Sequence, residues 1–193
     1  MFESKIKSVI ESSIEVKKNI VNDEALIHKI ELVVTACIHA FKNNRKILFC
    51  GNGGSAADAQ HLAAEFSGRY YKDRPPLYAE ALHVNTSYLT AVSNDYGFDH
   101  VYSRMVLAMG APGDILFGLS TSGNSTNIIR AFETAKEREM ICIGMTGQSG
   151  GKLIALSDIL INVPSQDTPR IQESHITIGH IICELVERNI FPE

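Results

Sequence analysis

Between Lys46 and Gly68 the chain reads KILFCGNGGSAADAQHLAAEFSG, a short apolar run, three glycines within four positions and a helical pattern closed by a further glycine. Ile47 to Cys50 predicts a buried strand, Gly51 to Gly54 a tight turn, and Ser55 onward a helix that stops before Gly68. Glycines let the backbone take positive φ and approach a ligand closely, while the helix aims its unpaired N–H groups and the positive end of its dipole back at the loop. An anion such as phosphate suits that place. His61 and Glu65, four residues apart, share one helix face. With Ala59, Leu62, Ala63 and Phe66 as the buried stripe, the His61/Glu65 face points away from the core. It meets either water, another part of the protein or another subunit.

Around this unit the pattern repeats. Phe2, Ile6, Val9, Ile10, Ile14 and Val16 recur at helical spacing up to about Val21. A second helix starts at a cap near Asn22 or Asp23 and carries Leu26, Ile27, Ile30, Val33, Val34, Cys37, Ile38 and Phe41 to a stop at Asn43-Asn44. Two amphipathic helices are more than a βα core requires, so part of their apolar surface is expected to meet a partner chain; the plainer alternative is that both cover the sheet. Further strands are expected at 77–84, 115–119, 140–145 and 158–163. Helices are expected from a cap at Asn85, Thr86 or Ser87 to about Ser93, with a break over Asn94 to Gly97, then over 98–109, 128–138 and about 170–189. Strands apolar on both faces and alternating with helices predict an α/β fold, a three-layer α/β/α sandwich around a five-stranded parallel sheet.

With 45% apolar residues in 193, there is enough material for one core. A net charge of −4 without a basic run gives no footprint for nucleic acid or an anionic membrane. No apolar run approaches the roughly 20 residues of a membrane span, and Met1 to Val21 lacks the apolar region of a signal peptide, so a cytoplasmic protein is expected. Cys37, Cys50, Cys142 and Cys183 stand singly in apolar segments and read as core thiols of a reducing compartment.

A second loop with ligand chemistry follows the strand at 115–119. Ser120, Thr121, Ser122 and Ser125 place four hydroxyls at a helix start, able to ring a phosphate without lysine. In the flavodoxin-like strand order 2-1-3-4-5 both loops open on one crevice at the switch point. Each loop alone is weak evidence, since a hydroxyl-rich helix start is more often a cap than a binding site, and neither is a Walker loop or a GxGxxG fingerprint. His61 and Glu65 alone read as a solvated pair, but the last helix adds Gln172 and His180. The four together offer two imidazole nitrogens and two oxygens, a set compatible with zinc. Gln172 and His180 lie roughly 12 Å apart along a helix and about 80° out of line, so they share an ion only if both lean inward or if different subunits contribute. His175 falls on the apolar side with Ile171, Ile178 and Ile182 and reads as packing. His28, His39, His83 and His100 carry no sign of a partner.

The segments GNGGSAADAQH, AEFSGRY, SNDYGF, LSTSGNS and TPRIQESHITIGH together resemble the bacterial phosphoheptose isomerases, a branch of the sugar isomerase (SIS) superfamily, over nearly the whole chain from the second helix onward. The resemblance implies a SIS fold (45–193) with an N-terminal helical extension (1–44) that helps assemble a homotetramer with active sites at subunit interfaces. It implies an aldose–ketose isomerase converting D-sedoheptulose 7-phosphate to D-glycero-D-manno-heptose 7-phosphate, at the start of heptose-nucleotide synthesis for lipopolysaccharide or other surface glycans. Carried over by position, Asn52, Gly53, Gly54, Asn94, Asp95 and Gln172 contact the sugar, and Ser120, Thr121, Ser122 and Ser125 hold its phosphate. His61, Glu65, Gln172 and His180 match zinc positions, one ion per subunit, Glu65 and His180 the acid/base pair, and Arg69 an arginine near the site.

A rival lies in the same superfamily. The GN-G-SAA-AQH-AA and RIQE-H patterns are shared with a non-enzymatic tetramer that binds the bacterial replication initiator protein. That branch lacks the counterparts of Glu65 and His180, which an adaptor does not need. A further alternative, a SIS isomerase for pentose or hexose phosphates, is set back by the full-length match.

Overall fold

Asp23 caps the second helix through its side chain, which accepts the Leu26 N–H at 2.9 Å, so the chain breaks between α1 (Glu3–Val21) and α2 (Glu24–Lys42) at a residue whose short carboxylate suits a helix start. The computed structural model describes residues 2–192; Met1 and Glu193, the outer ends of the two expected segments, lie outside the described residues. Beyond Asn44, which takes φ +56°, the chain alternates β1 (Ile47–Gly51), α3 (Gly54–Ser67), β2 (Ala79–Ala81), α4 (Thr86–Tyr96), α5 (Val101–Met109), β3 (Ile115–Leu119), α6 (Thr126–Glu137), β4 (Ile141–Thr146), β5 (Ile159–Asn162) and α7 (Thr168–Ile190). All strand pairs are parallel, in the order β2-β1-β3-β4-β5.

The two-residue period of the strands sorts the core into two layers. Ile47, Phe49, Ile115, Phe117, Leu119, Ile143 and Met145 face one way, against α2, α3 and α7. Leu48, Cys50, Leu116 and Cys142 face the other, against α5 and α6. Every residue of β1 and β3 is buried, as central strands covered on both faces require. All four cysteines are buried free thiols. The Ala59, Leu62, Ala63 and Phe66 stripe is buried as its spacing predicts. α2 covers the sheet, whereas α1 buries only Val16 and Ile20 and leaves Phe2, Ile6, Ile10, Ile14 and Val21 about half exposed or more.

Most boundaries shift by a residue or two, and two of the differences carry a clear physical reason. The strand expected over 77–84 shortens to Ala79–Ala81, because β1 supplies only Ile47, Leu48 and Phe49 as partners on that edge. The Leu77 N–H instead turns to the carbonyl of Phe66 at the end of α3. The helix expected to end near Ser93 runs on through Asn94, Asp95 and Tyr96. It stops only at Gly97, whose φ of +87° side-chain-bearing residues rarely adopt. No helix of the described residues is long and apolar enough to cross a membrane.

Candidate active site

β1 and β3 are neighbours, so the loops that follow them open side by side at the carboxyl edge of the sheet. Two amides tie them: Asn52 Nδ2 donates to Asn127 Oδ1 and Asn127 Nδ2 to Asn52 Oδ1, both at 2.9 Å. Asn127 escaped the sequence reading; an amide just inside a helix that follows a hydroxyl loop was its only signal. The Tyr102 hydroxyl donates to the Gly51 carbonyl and steadies the end of β1. Gly53 takes φ +55° and ψ −122°, outside the regions open to other residues. Gly54 opens α3 without a side-chain cap; a Cβ placed there would lie 2.7 Å from Gln172 Nε2, so the Gln172 amide rests on the loop.

In the second loop Ser120 Oγ and Ser125 Oγ are 3.0 Å apart, and Ser122 Oγ accepts the Asn124 N–H at 3.1 Å. Ser125 occupies the cap position of α6, yet its side chain accepts no helix N–H. Ser125 therefore does not act as a side-chain cap, and the Ile128 N–H in the first turn of α6 is taken by Asn127 Oδ1 at 3.0 Å. A polar cleft of about 380 Å³ adjoins Thr121 and Ser122, and Gln148, Ser149 and Gln166 from the loops after β4 and β5 and Thr168 at the start of α7 also line it. No motif marked Gln148, Ser149 or Gln166, whereas Thr168 opens the segment TPRIQESHITIGH.

The third group stands where α3 crosses α7. His61 Nε2 lies 3.0 Å from Glu65 Oε1 and 3.2 Å from His180 Nε2, and one donor atom from each of the three fits within 4.8 Å, a set able to hold a metal ion. The His61 and His180 rings are 5.0 Å apart, and the Tyr70 ring lies 5.8 Å from that of His180. The helices approach closely because Gly179 has no side chain: a Cβ there would meet both methyl groups of Leu62 at 2.6 Å. One subunit thus assembles three of the four expected metal positions. The fourth, Gln172, points to the glycine loop, as the phase difference along α7 requires. Asp58, one turn before His61, was passed over; burial raises its carboxyl pKa, partly offset by His61, and its Oδ2 is buried without a partner.

Asn94 and Asp95 are exposed in the last turn of α4 and bond to each other at 2.9 Å, rather than to either loop. Arg69 is exposed at the start of the segment after α3. His175 is fully buried, with Nε2 3.2 Å from the Thr146 carbonyl, and burial lowers its pKa to about 4, a packing histidine. Two histidines read as partnerless do have neighbours: Glu31 lies 3.4 Å from His28, and Arg130 Nη1 lies 3.1 Å from His100 Nε2.

The SIS domain family matches residues 10–147, beginning inside α1. A phosphoheptose isomerase of Aneurinibacillus thermoaerophilus is 58% identical over 186 residues, 96% of this chain and 94% of that protein. Among solved structures, a phosphoheptose isomerase from Neisseria gonorrhoeae is 44% identical with a TM-score of 0.91, covering 97% of this chain and 99% of its own. One from Francisella tularensis is 38% identical with a TM-score of 0.93, at the same coverage. The chain belongs to the SIS-domain family and, within it, to the phosphoheptose isomerases.

Proposed function

We propose that this chain is an aldose–ketose isomerase converting D-sedoheptulose 7-phosphate to D-glycero-D-manno-heptose 7-phosphate, a precursor for surface glycans. The observation that carries the reading is the convergence of Glu65 and His180 from two helices of one chain, in a fold whose serine loop stands uncapped for a phosphate. Relatives named for the same reaction support it. The adaptor alternative finds no support, since a binding module has no use for a carboxylate and imidazole brought together in this way.

In this reading Ser120, Thr121, Ser122 and Ser125 hold the phosphate, and Asn52, Gly53, Gly54, Asn94, Asp95 and Gln172 contact the sugar. Moving a carbonyl between C2 and C1 shifts one proton between the carbons and one between their oxygens, through a cis-enediol. Glu65 takes the proton from carbon, a task suited to a half-buried carboxylate. His180 passes the other between O1 and O2, because an imidazole exchanges protons near neutrality. The Asn52–Asn127 amide pair keeps the two loops at a fixed distance, so the phosphate end locates the reacting end.

The residues fit zinc. Tetrahedral bonds of about 2.0–2.1 Å place neighbouring ligand atoms about 3.3 Å apart, and the spacings here are 3.2 Å and 3.0 Å. His61, Glu65 and His180 would hold one ion per subunit; Gln172, which rests on Gly54 within its own chain, would complete the set from another subunit. When bound, the ion supplies positive charge beside the oxygens of the enediolate. Dialysis of the purified protein against a chelator is expected to remove sedoheptulose 7-phosphate isomerase activity, and added Zn²⁺ to restore it. Full activity in protein shown to be metal-free would sink the zinc assignment.

For assembly, we assign residues 1–44 to subunit contacts within a homotetramer and 45–193 to the catalytic unit. The exposed apolar side of α1, which the fold leaves uncovered, supports this. The buried free thiols and the small metabolite substrate support a cytoplasmic setting.

A further inference from the structure

Glu187 lies seven residues beyond His180, two helical turns along the same face of α7. Its carboxylate, 2% exposed, accepts the N–H groups of Tyr70 (3.1 Å), Tyr71 (2.8 Å) and Lys72 (3.1 Å) and the Nε of Arg74 (3.0 Å). Arg74, 3% exposed, turns its other N–H groups to the end of α3. Its Nη2 donates to the Glu65 carbonyl at 2.8 Å, and its Nη1 to the carbonyls of Phe66 at 2.7 Å and Gly68 at 3.1 Å. The last turn of a helix leaves such carbonyls without partners. Burial works to raise the Glu187 pKa, but the backbone N–H groups and the guanidinium outweigh it and hold the carboxyl below its ordinary value.

We propose that the buried Arg74–Glu187 pair positions the reacting groups: it locks the axial register of α3 on α7 where Glu65 faces His180, and holds the segment after α3 so that Tyr70 lies on the His180 ring. The proposal rests on the reading that Glu65 and His180 carry the proton transfers. Leu62 seated on Gly179 sets how closely the helices approach, but a leucine over a glycine leaves them free to slide along their axes. The guanidinium removes that freedom because it grips the peptide of Glu65 itself while bonded to α7. A buried ion pair contributes little stability over a well-packed apolar pair, so its cost here is repaid in geometry. The groups it joins carry site residues on both helices. Neither Arg74 nor Glu187 bonds to the loops at 51–54 and 120–125.

The test is steady-state kinetics on sedoheptulose 7-phosphate with Arg74→Lys and Glu187→Asp, each of which keeps its charge but shortens or simplifies the grip. A displacement near 1 Å at the reacting pair lowers turnover on the order of 10²-fold. The expected result is therefore a kcat reduced by about 10- to 100-fold with KM within about twofold of wild type, in protein that still melts cooperatively. Glu65→Gln is measured beside them. Wild-type kcat in a folded Arg74→Lys or Glu187→Asp, next to an inactive Glu65→Gln, overturns the positioning role alone. An active Glu65→Gln overturns the assignment beneath it. Failure of both charge-conserving variants to fold makes the pair a fold determinant and also overturns the proposal.

Discussion

Glu65→Gln is expected to lower kcat for sedoheptulose 7-phosphate by roughly 10²- to 10⁴-fold while the chain stays folded. The amide has the shape of the carboxylate and can still accept from His61, whose Nε2 lies 3.0 Å from Glu65 Oε1, so the local contact survives. The helix around it also survives, because Arg74 holds the main chain of residue 65 rather than its side chain. What disappears is the ability to take a proton from carbon, together with one charged ligand of the proposed zinc ion. Phosphate binding depends on hydroxyls and N–H groups of the loop at 120–125, which the substitution does not touch. KM is therefore expected to change far less than kcat. A rate near wild type in the folded variant would remove Glu65 from the reaction.

The second large effect is structural and falls on Gly51. A Cβ at this last residue of β1 would run into the main chain of α3's first turn, at the Ser55 carbonyl and 2.9 Å from the Ala56 nitrogen. Main-chain atoms cannot swing aside as a side-chain tip can, so Gly51→Ala must push the glycine turn away from the strand. The Tyr102 hydroxyl that bonds the Gly51 carbonyl is buried in the adjoining core and resists that movement. Overpacking of this kind costs about 3 kcal/mol at the upper end of its usual range, which for a chain of this size lowers the melting temperature by about 6–12 °C. Substrate affinity should fall with it, since Asn52, Gly53 and Gly54 follow directly. An unchanged melting temperature would show that the turn is looser than its geometry implies.

What the sequence disclosed was what local pattern controls. The apolar runs at Ile47 and Ile115, the stripe from Ala59 to Phe66 and the cap at Asp23 each depend on residues within a turn or two of one another, and all appear where expected. Alternation of strand and helix was enough for a parallel sheet covered on both faces, whereas the order 2-1-3-4-5 entered as the flavodoxin-like case. The misses are tertiary. The exception is the end of α4, a local matter: of the breakers Asn94 to Gly97, the stop falls on Gly97, which takes the positive φ. Arg74 and Glu187 are 113 positions apart, and each alone looks like an ordinary surface charge. Gly179 reads as a weak point in a helix until Leu62 is seen packed on it. For Gln172 and His180, helical phase left two ways to share one point, leaning inward or contribution by different subunits, and within one chain the fold separates them: one rests on Gly54, the other beside His61.

The most direct test of the account is to incubate the wild-type protein with sedoheptulose 7-phosphate in D₂O and follow the sugar phosphates by NMR. Proton abstraction by a carboxylate and return from solvent-exchanged groups predicts an aldose product carrying deuterium at C2. No conversion of the heptulose, or conversion with protium retained fully at C2, would contradict an enediol formed between Glu65 and His180.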